Sequence, residues 1–500
     1  MNSIFKAALL KFKENSNIFI PILIFGIIYS LISLINHYCF RTYARDLGIF
    51  TNALYDYAHF QWNKPTVLHL ELENILGDHF TLISILFAPL IYIFGTYTLL
   101  IIQIVSILLG GLGVYKIIEN KIDKTFATIA IIHFFSIWGI YSALAFDAHY
   151  SVIGTMFVPW LIYYLLKKNN LNSILIFIII LLTKENFSIW LFFIVLSFLI
   201  TQENNKQQKS FLFALMIISS TYFYFVISNI MPSLSGENNE YIHFDYTILG
   251  SDFQEVIKTI IIKPYYTIKV FLGNFLDNSL YDFLKTETIL AFLLSGGFLI
   301  FRKPQYIIIL IPIFGQKFFN SYFSKWGLFN HYSIELVPII AISFYLALNS
   351  LKLNTTVKLR VAIFITCISF LISVLMVRNS NSVKYREINY EFYNPKHYKS
   401  LSYNKSSYSY KTLYKELARI SENSIVSAQS QMLPHLALRD KIYEFPVILD
   451  AQYIVLLPME ENKYPIKNDK YFQKIQELKM LQDWMIQYEN DFLIIFKRVD

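Results

Sequence analysis

Cysteine is nearly absent: two occur in 500 residues. Cys39 ends the first apolar run and Cys367 lies within the last, so no disulfide is expected, and neither has zinc-type spacing. Charge is scarce as well, at 16% of residues. The chain has no G-x-x-x-x-G-K-[ST] loop and no G-x-G-x-x-G turn, which argues against an ATP-driven pump. It has no G-x-S-x-G elbow, and nothing points to a serine-hydrolase triad. No internal repeat of fixed period is visible, which weakens an inverted-repeat transporter reading without removing it.

Apolar surface is what the chain has in excess. It is 55% hydrophobic and 17% aromatic, more than a soluble domain of this length can bury, so a bilayer is the expected solvent. The 43 basic against 35 acidic residues give a net charge of +8. In such a chain this excess reads as basic cytoplasmic loops, and no nucleic-acid partner is expected.

A helix needs about 17–25 apolar residues to cross a bilayer. The candidates are 18–36, 97–116, 126–144, 150–166, 171–183, 187–200, 211–231, 287–301, 305–319, 333–350 and 359–377, which predicts about eleven transmembrane helices. The basic N-terminus, with Lys6, Lys11 and Lys13, precedes a first span expected to be retained. The run 81–94, closed by Gly95, is short and reads as a re-entrant or interfacial helix. With the N-terminus in the cytoplasm, the inner loops carry Lys116, Lys121 and Lys124; Lys167 and Lys168; Lys206 and Lys209; Arg302 and Lys303; and Lys352, Lys358 and Arg360. Every inner loop is then basic, and a multi-pass plasma-membrane protein is expected. Loops 37–96 and 232–286 and everything after about 378 face outward.

Residues 1–377 are therefore expected to form the membrane domain and 378–411 a polar, Tyr- and Ser-rich linker. Residues 412–500 read as a small extracytoplasmic α/β domain. Its strands are predicted in "SIVSAQ", "KIYEFP", "AQYIVLLP" and "NDFLIIFKR", and its helices in "YKTLYKELARI" and "YFQKIQELKMLQDWMIQ".

Charged residues beside apolar segments are costly and mark candidate function. Asp46, Asp78, His79, Asp147, His149, Lys184 and Glu185 all fall at outer ends of spans or in outer loops. Asp46 before "LGIFTNALYDYAHF" and Asp78 before "FTLISILFAPLIYIF" also read as helix caps. Asp78-His79 and Asp147-x-His149 pair oxygen with imidazole ligands and so are candidates for a shared metal or phosphate site. The bland alternative for both is a hydrogen-bonded structural role. "TKENF" (183–187) reads equally as a hairpin turn. In "FNHYSIELVPII", His331 and Tyr332 start the tenth span, and His331 and Glu335 are spaced to share a helix face, or else belong to an aromatic belt.

The stretches "RDLGIFTNALYDYAHFQW", "LGDHFTLISILFAPLIYIFGTYTLLIIQ", "FDAHYSVIG", "TKENF", "NHYSIELVPII" and "SIVSAQSQMLPHLALRDKIYEFP" occur in this order. Together they resemble the domain of unknown function 2079 family of polytopic membrane proteins. That family is similar to the GT-C superfamily of membrane glycosyltransferases. The resemblance implies transfer of a sugar from a polyprenyl-phosphate-linked donor to a glycan, lipid or protein acceptor on the outer face. It also implies short membrane-parallel helices in the first outer loop and an essential acid near its start, a position matched by Asp46. Many relatives have two adjacent acids there; this chain has Arg45-Asp46, which bears on use of a divalent metal (Mg or Mn). Asp46 would be the base. Lys184, a histidine or a metal held by Asp78, His79, Asp147 and His149 would stabilise the departing phosphate, and Glu185 and Tyr332 would bind sugar hydroxyls. A secondary transporter, a lipid-carrier flippase and a non-catalytic scaffold remain as alternatives.

Overall fold

The computed structural model describes residues 16–68, 70–379, 410–458, 463 and 465–499. The basic residues Lys6, Lys11 and Lys13 and most of the expected 378–411 linker lie outside the described residues.

The chain is mostly helical. It begins with α1 (Ser16–Tyr38) and α2 (Ile49–Ala58). Next come α3 (Thr98–Lys121), α4 (Lys124–Ser136), α5 (Trp138–Ala145), α6 (Tyr150–Leu166), α7 (Asn170–Leu181) and α8 (Phe187–Thr201). Then follow α9 (Lys206–Phe225), α10 (Phe253–Ile262), α11 (Pro264–Leu272), α12 (Leu284–Leu294), α13 (Pro304–Phe318), α14 (Leu336–Asn349) and α15 (Thr355–Asn379). Helix starts are written in the sequence: Asp123, Asn169, Asn205 and Asp252 each accept a backbone N–H of the first turn of α4, α7, α9 and α10.

All eleven predicted apolar runs contain helix. Among the described residues four stretches are long and apolar enough to cross a membrane unaided: Ser16–Tyr38, Ser84–Lys121, Lys206–Leu234 and Thr355–Met376. The α4–α5 pair, bent by 41°, makes a fifth if it is one span, and α6, α7, α8 and α14 are shorter apolar helices. Length and composition alone thus do not reach eleven. The run 81–94 forms short helical turns that lead through Gly95 (φ +55°) into α3; that backbone angle is easy only for glycine.

The helices pack through small residues and paired polar groups, as an apolar solvent demands. A Cβ on Gly110 or Gly113 would come within 2.8 Å of Met156 or Pro159, so these glycines let α6 close onto α3. Tyr29 donates to the Phe135 carbonyl at 2.8 Å, and Ser373 to the Ser136 carbonyl at 2.7 Å.

After α16 (Tyr410–Leu417) come β1 (Val426–Ala428), β2 (Ile442–Glu444), β3 (Tyr453–Leu456), α17 (Asn468–Met480), β4 (Trp484–Glu489) and β5 (Ile494–Arg498). The sheet order is β2-β1-β3-β5-β4, parallel at β1 and antiparallel where β5 pairs β3 and β4. The helix expected to run to Gln487 stops at Met480. Trp484, Met485 and Ile486 instead pair with β5, because an aromatic and β-branched segment gains more from ladder partners than from a frayed helix end.

This sheet does not stand apart from the loop between α1 and α3. Phe40, Leu47, Phe50 and Leu54 share one apolar cluster with Val426, Leu433, Ile442 and Ile495. Asn52 Nδ2 donates to the carbonyls of Ala437 (3.1 Å) and Arg439 (2.8 Å), and the Ala44 N–H donates to Ser430 Oγ at 3.3 Å. The loop bearing Asp46 is therefore held between the helices and the sheet.

Candidate functional site

Six connections between helices, that between α9 and α10 included, meet around one cavity of about 620 Å³. Asp46 sits on a single π-turn, Ala44–Gly48, between α1 and α2. His79 follows the short turn Ile75–Gly77, and His149 lies between α5 and α6. Lys184 and Glu185 join α7 to α8, and His331 and Tyr332 precede α14. All seven side chains line the cavity. Trp190, Phe193, Phe223, Phe253, Ile260, Ile311 and Phe319 line it as well, so one cavity has both charged and apolar walls.

Neither acid caps a helix as expected. The cap of α2 is Gly48, with no side-chain hydrogen bond, and the turn Ser84–Phe87 is likewise uncapped by a side chain. Asp46 Oδ1 instead lies 3.6 Å from His149 Nδ1. His149 Nε2 is 2.7 Å from the Phe146 carbonyl, which can only accept, so Nε2 carries the proton and Nδ1 presents its lone pair toward Asp46. Burial holds His149 down at about 3, so it brings no positive charge. Burial, and then the charge of Asp78, push the Asp46 carboxyl up to about 7 against the opposing pull of Lys184 and Arg45.

Glu185, 1% exposed, accepts the Phe80 N–H at 3.1 Å and lies 3.3 Å from His79 Nδ1. Burial alone would raise its carboxyl, but His79, Lys184 and His243 outweigh burial and hold it at about 2. Lys184 Nζ is 3.4 Å from His79 Nε2. Glu185 is thus an ionised residue of the wall rather than a free arm. His331 is not on a helix beside Glu335: residues 331–335 are turns and α14 begins at Leu336. Its ring stacks on His149 with centroids 3.6 Å apart.

Asp147 and Asp78 do not line the cavity. Asp147, buried at φ +61°, accepts the Tyr43 N–H on Oδ2 at 3.0 Å, and the Leu47 amide also points to it. Gln103 of α3 locks the same connection, donating to the Asp147 carbonyl and accepting the His149 N–H, both at 2.9 Å. Asp147 therefore anchors the turn that presents Asp46. Asp78 Oδ1 pairs with His243 Nε2 at 2.8 Å. Among the described residues, the trio with metal-ligand atoms within 4.8 Å of one another is Asp78, His79 and His243. The structure thus divides the expected set of Asp78, His79, Asp147 and His149: the first two join His243, and the others support Asp46.

Sequence reasoning missed Gln103, His243 and Asp245. Gln103 was signalled as a lone amide in "TLLIIQIVSILL". His243 and Asp245, in "YIHFDY", sit in a polar loop where such residues are unremarkable; both line the cavity, and Asp245 lies 3.7 Å from Lys325.

The sequence profile of the family described as predicted membrane protein (DUF2079) matches residues 36–495. No curated protein sequence matches the chain. Among solved structures, ArnT from Cupriavidus metallidurans bound to undecaprenyl phosphate is 12% identical, with a TM-score of 0.52 over 95% of this chain and 98% of that one. The apo oligosaccharyltransferase from Archaeoglobus fulgidus is 12% identical, with a TM-score of 0.43 over 88% of this chain and 69% of that one. At such identity the likeness to ArnT is one of fold.

Proposed function

Because the chain belongs to the DUF2079 family of membrane proteins, with a fold similar to that of GT-C enzymes, we propose that it transfers a sugar from a polyprenyl-phosphate-linked donor. The acceptor, a glycan, lipid or protein hydroxyl, is met on the outer face of a cell membrane. The observation that carries this reading is the cavity with both apolar and charged walls. Its apolar side chains suit a prenyl chain, and the same lining holds Asp46, whose carboxyl is raised to about 7, with the ammonium groups of Lys184 and Lys325.

Asp46 takes the acceptor proton. A base titrating near the working pH combines a useful ionised fraction with enough basicity to accept it. Lys184 and Lys325 face the leaving phosphate, whose charge grows as the glycosidic bond breaks. His149 and Asp147 keep Asp46 in place, and Tyr332 binds the sugar. Orientation is supported by alternation: the connections that meet at the cavity alternate along the chain with the basic ones at Lys121–Lys124, Lys167–Lys168, Lys206–Lys209 and Arg302–Lys303. The sheet-bearing residues 412–500 then lie outside with the first loop, on the membrane domain of residues 1–377.

Mass spectrometry of lipid-linked sugars and surface glycans, in cells with and without the gene, tests the reading. A donor accumulating and a glycan lost on deletion is the expected result; identical profiles under expressing conditions would sink it. A transporter would instead change uptake with no missing glycan.

The pH dependence follows from Asp46. As a base it must be ionised, so the rate should rise with pH along a limb centred near 7. Lys184 lowers the Asp46 carboxyl, so Lys184→Met should move that limb to higher pH as well as slow transfer. A limb unmoved in this variant would remove Asp46 as the titrating group.

A further inference from the structure

Asp78, His79 and His243 come from the two long outer connections, 165 residues apart at the Asp78–His243 contact. His243 Nε2 is 2.8 Å from Asp78 Oδ1, and the rings of His79 and His243 stack with centroids 4.3 Å apart. Glu185 Oε1 lies 3.3 Å from His79 Nδ1. The three side chains keep 11%, 23% and 27% exposure for Asp78, His79 and His243, so an ion could reach them. Lys184 Nζ is 3.4 Å from His79 Nε2, an ammonium that an ion bound through that nitrogen would displace.

We propose that Asp78, His79 and His243, with Glu185 beside them, form a divalent-cation site that takes zinc or a similar borderline metal in preference to magnesium. The donor chemistry decides the class. Magnesium wants near-octahedral oxygen and keeps its waters, whereas two imidazoles with carboxylate oxygen are the ligand set of zinc and its transition-metal neighbours. A tetrahedral ion asks for four ligands: Asp78 and the two histidines supply three and a water the fourth, while Glu185, beside His79 Nδ1, orients that ring. Bound there, the ion would tie the 241–245 segment of the second connection to the first, at the wall of the cavity that His79 and His243 line. Its nearness to the donor phosphate rests on the transfer reading; the site itself does not.

The test uses the full chain in detergent, stripped with a chelator and titrated calorimetrically with zinc, manganese or magnesium chloride. About one zinc per chain is expected, bound at least 100-fold tighter than magnesium. His243→Ala and Asp78→Asn should each weaken zinc tenfold or more, while His149→Ala should not. X-ray absorption at the zinc edge should show imidazole and oxygen ligands in the wild-type protein, which decides the matter even where a variant fails to fold. Three outcomes overturn the proposal: no zinc retained, magnesium bound as tightly, or loss in His149→Ala equal to that in His243→Ala, which would move the ion to the Asp46 side. Binding is read without turnover. A zinc site in a chain that transfers no sugar defeats the transfer reading alone, and transfer without zinc binding defeats this one alone.

Discussion

Asp46→Asn is expected to lower sugar transfer by roughly 100-fold or more, the loss typical when a general base is removed, while the protein accumulates and inserts normally. The side chain caps no helix and approaches His149 only to 3.6 Å, beyond hydrogen-bond length, so the amide removes basicity without removing a structural bond. Stability should move the other way. The folded-state carboxyl titrates near 7 against an ordinary 3.8, so ionising Asp46 works against the fold. Its stabilising contribution, full at low pH, is lost as pH rises from about 3.8 through about 7. Asparagine has no such loss, so the variant should melt at or above wild type at pH 8, with the difference shrinking toward pH 5. Wild-type transfer by Asp46→Asn would end the general-base assignment. Asp46→Glu, which keeps the charge but shifts the carboxylate, should also be slow if positioning matters.

Much of this could be read before any coordinates, for an identifiable reason. A charge beside an apolar segment is expensive, so Asp46, His79, His149, Lys184, Glu185 and His331 stood out, and the structure gathers them around one cavity. Helix positions were legible for the same reason: each apolar run is long, and several begin at an Asn or Asp cap. What was hidden depends on long-range contact. Trp484–Glu489 carries a helix-like apolar spacing and becomes a strand because β5 is there to pair with it. His243 gains meaning from Asp78, 165 residues away. His331 and Glu335 have helical spacing on paper, yet α14 starts one residue beyond Glu335, and stacking on His149 fixes His331 instead. The docking of the sheet on the Asp46 loop, through Asn52 and Ser430, has no local signature at all.

Asp147 shows how one residue type can be right and its role misread, and its variants should separate the two roles by a large margin. As a metal ligand or base, Asp147→Asn would be as damaging as Asp147→Ala. The geometry predicts otherwise. Asp147 is buried, its carboxyl is raised by burial and then by Asp46, and it accepts the amides of Tyr43 and Leu47 while holding φ at +61°. Asparagine keeps an acceptor oxygen, tolerates the left-handed conformation, and matches the neutral form of the acid. Asp147→Asn should therefore melt and turn over within a few-fold of wild type. Alanine strands two turn amides and sits badly at positive φ, costing roughly 2–6 kcal/mol of stability at about 1–3 kcal/mol per unpaired buried group. The Ala44–Gly48 turn then loses its anchor, and transfer should fall by about 100-fold because a misplaced base is nearly as poor as a missing one. Raising the pH should not restore it, since position rather than ionisation is lost. An Asp147→Asn protein with a wild-type melting temperature and no transfer would overturn this assignment and return Asp147 to the chemistry.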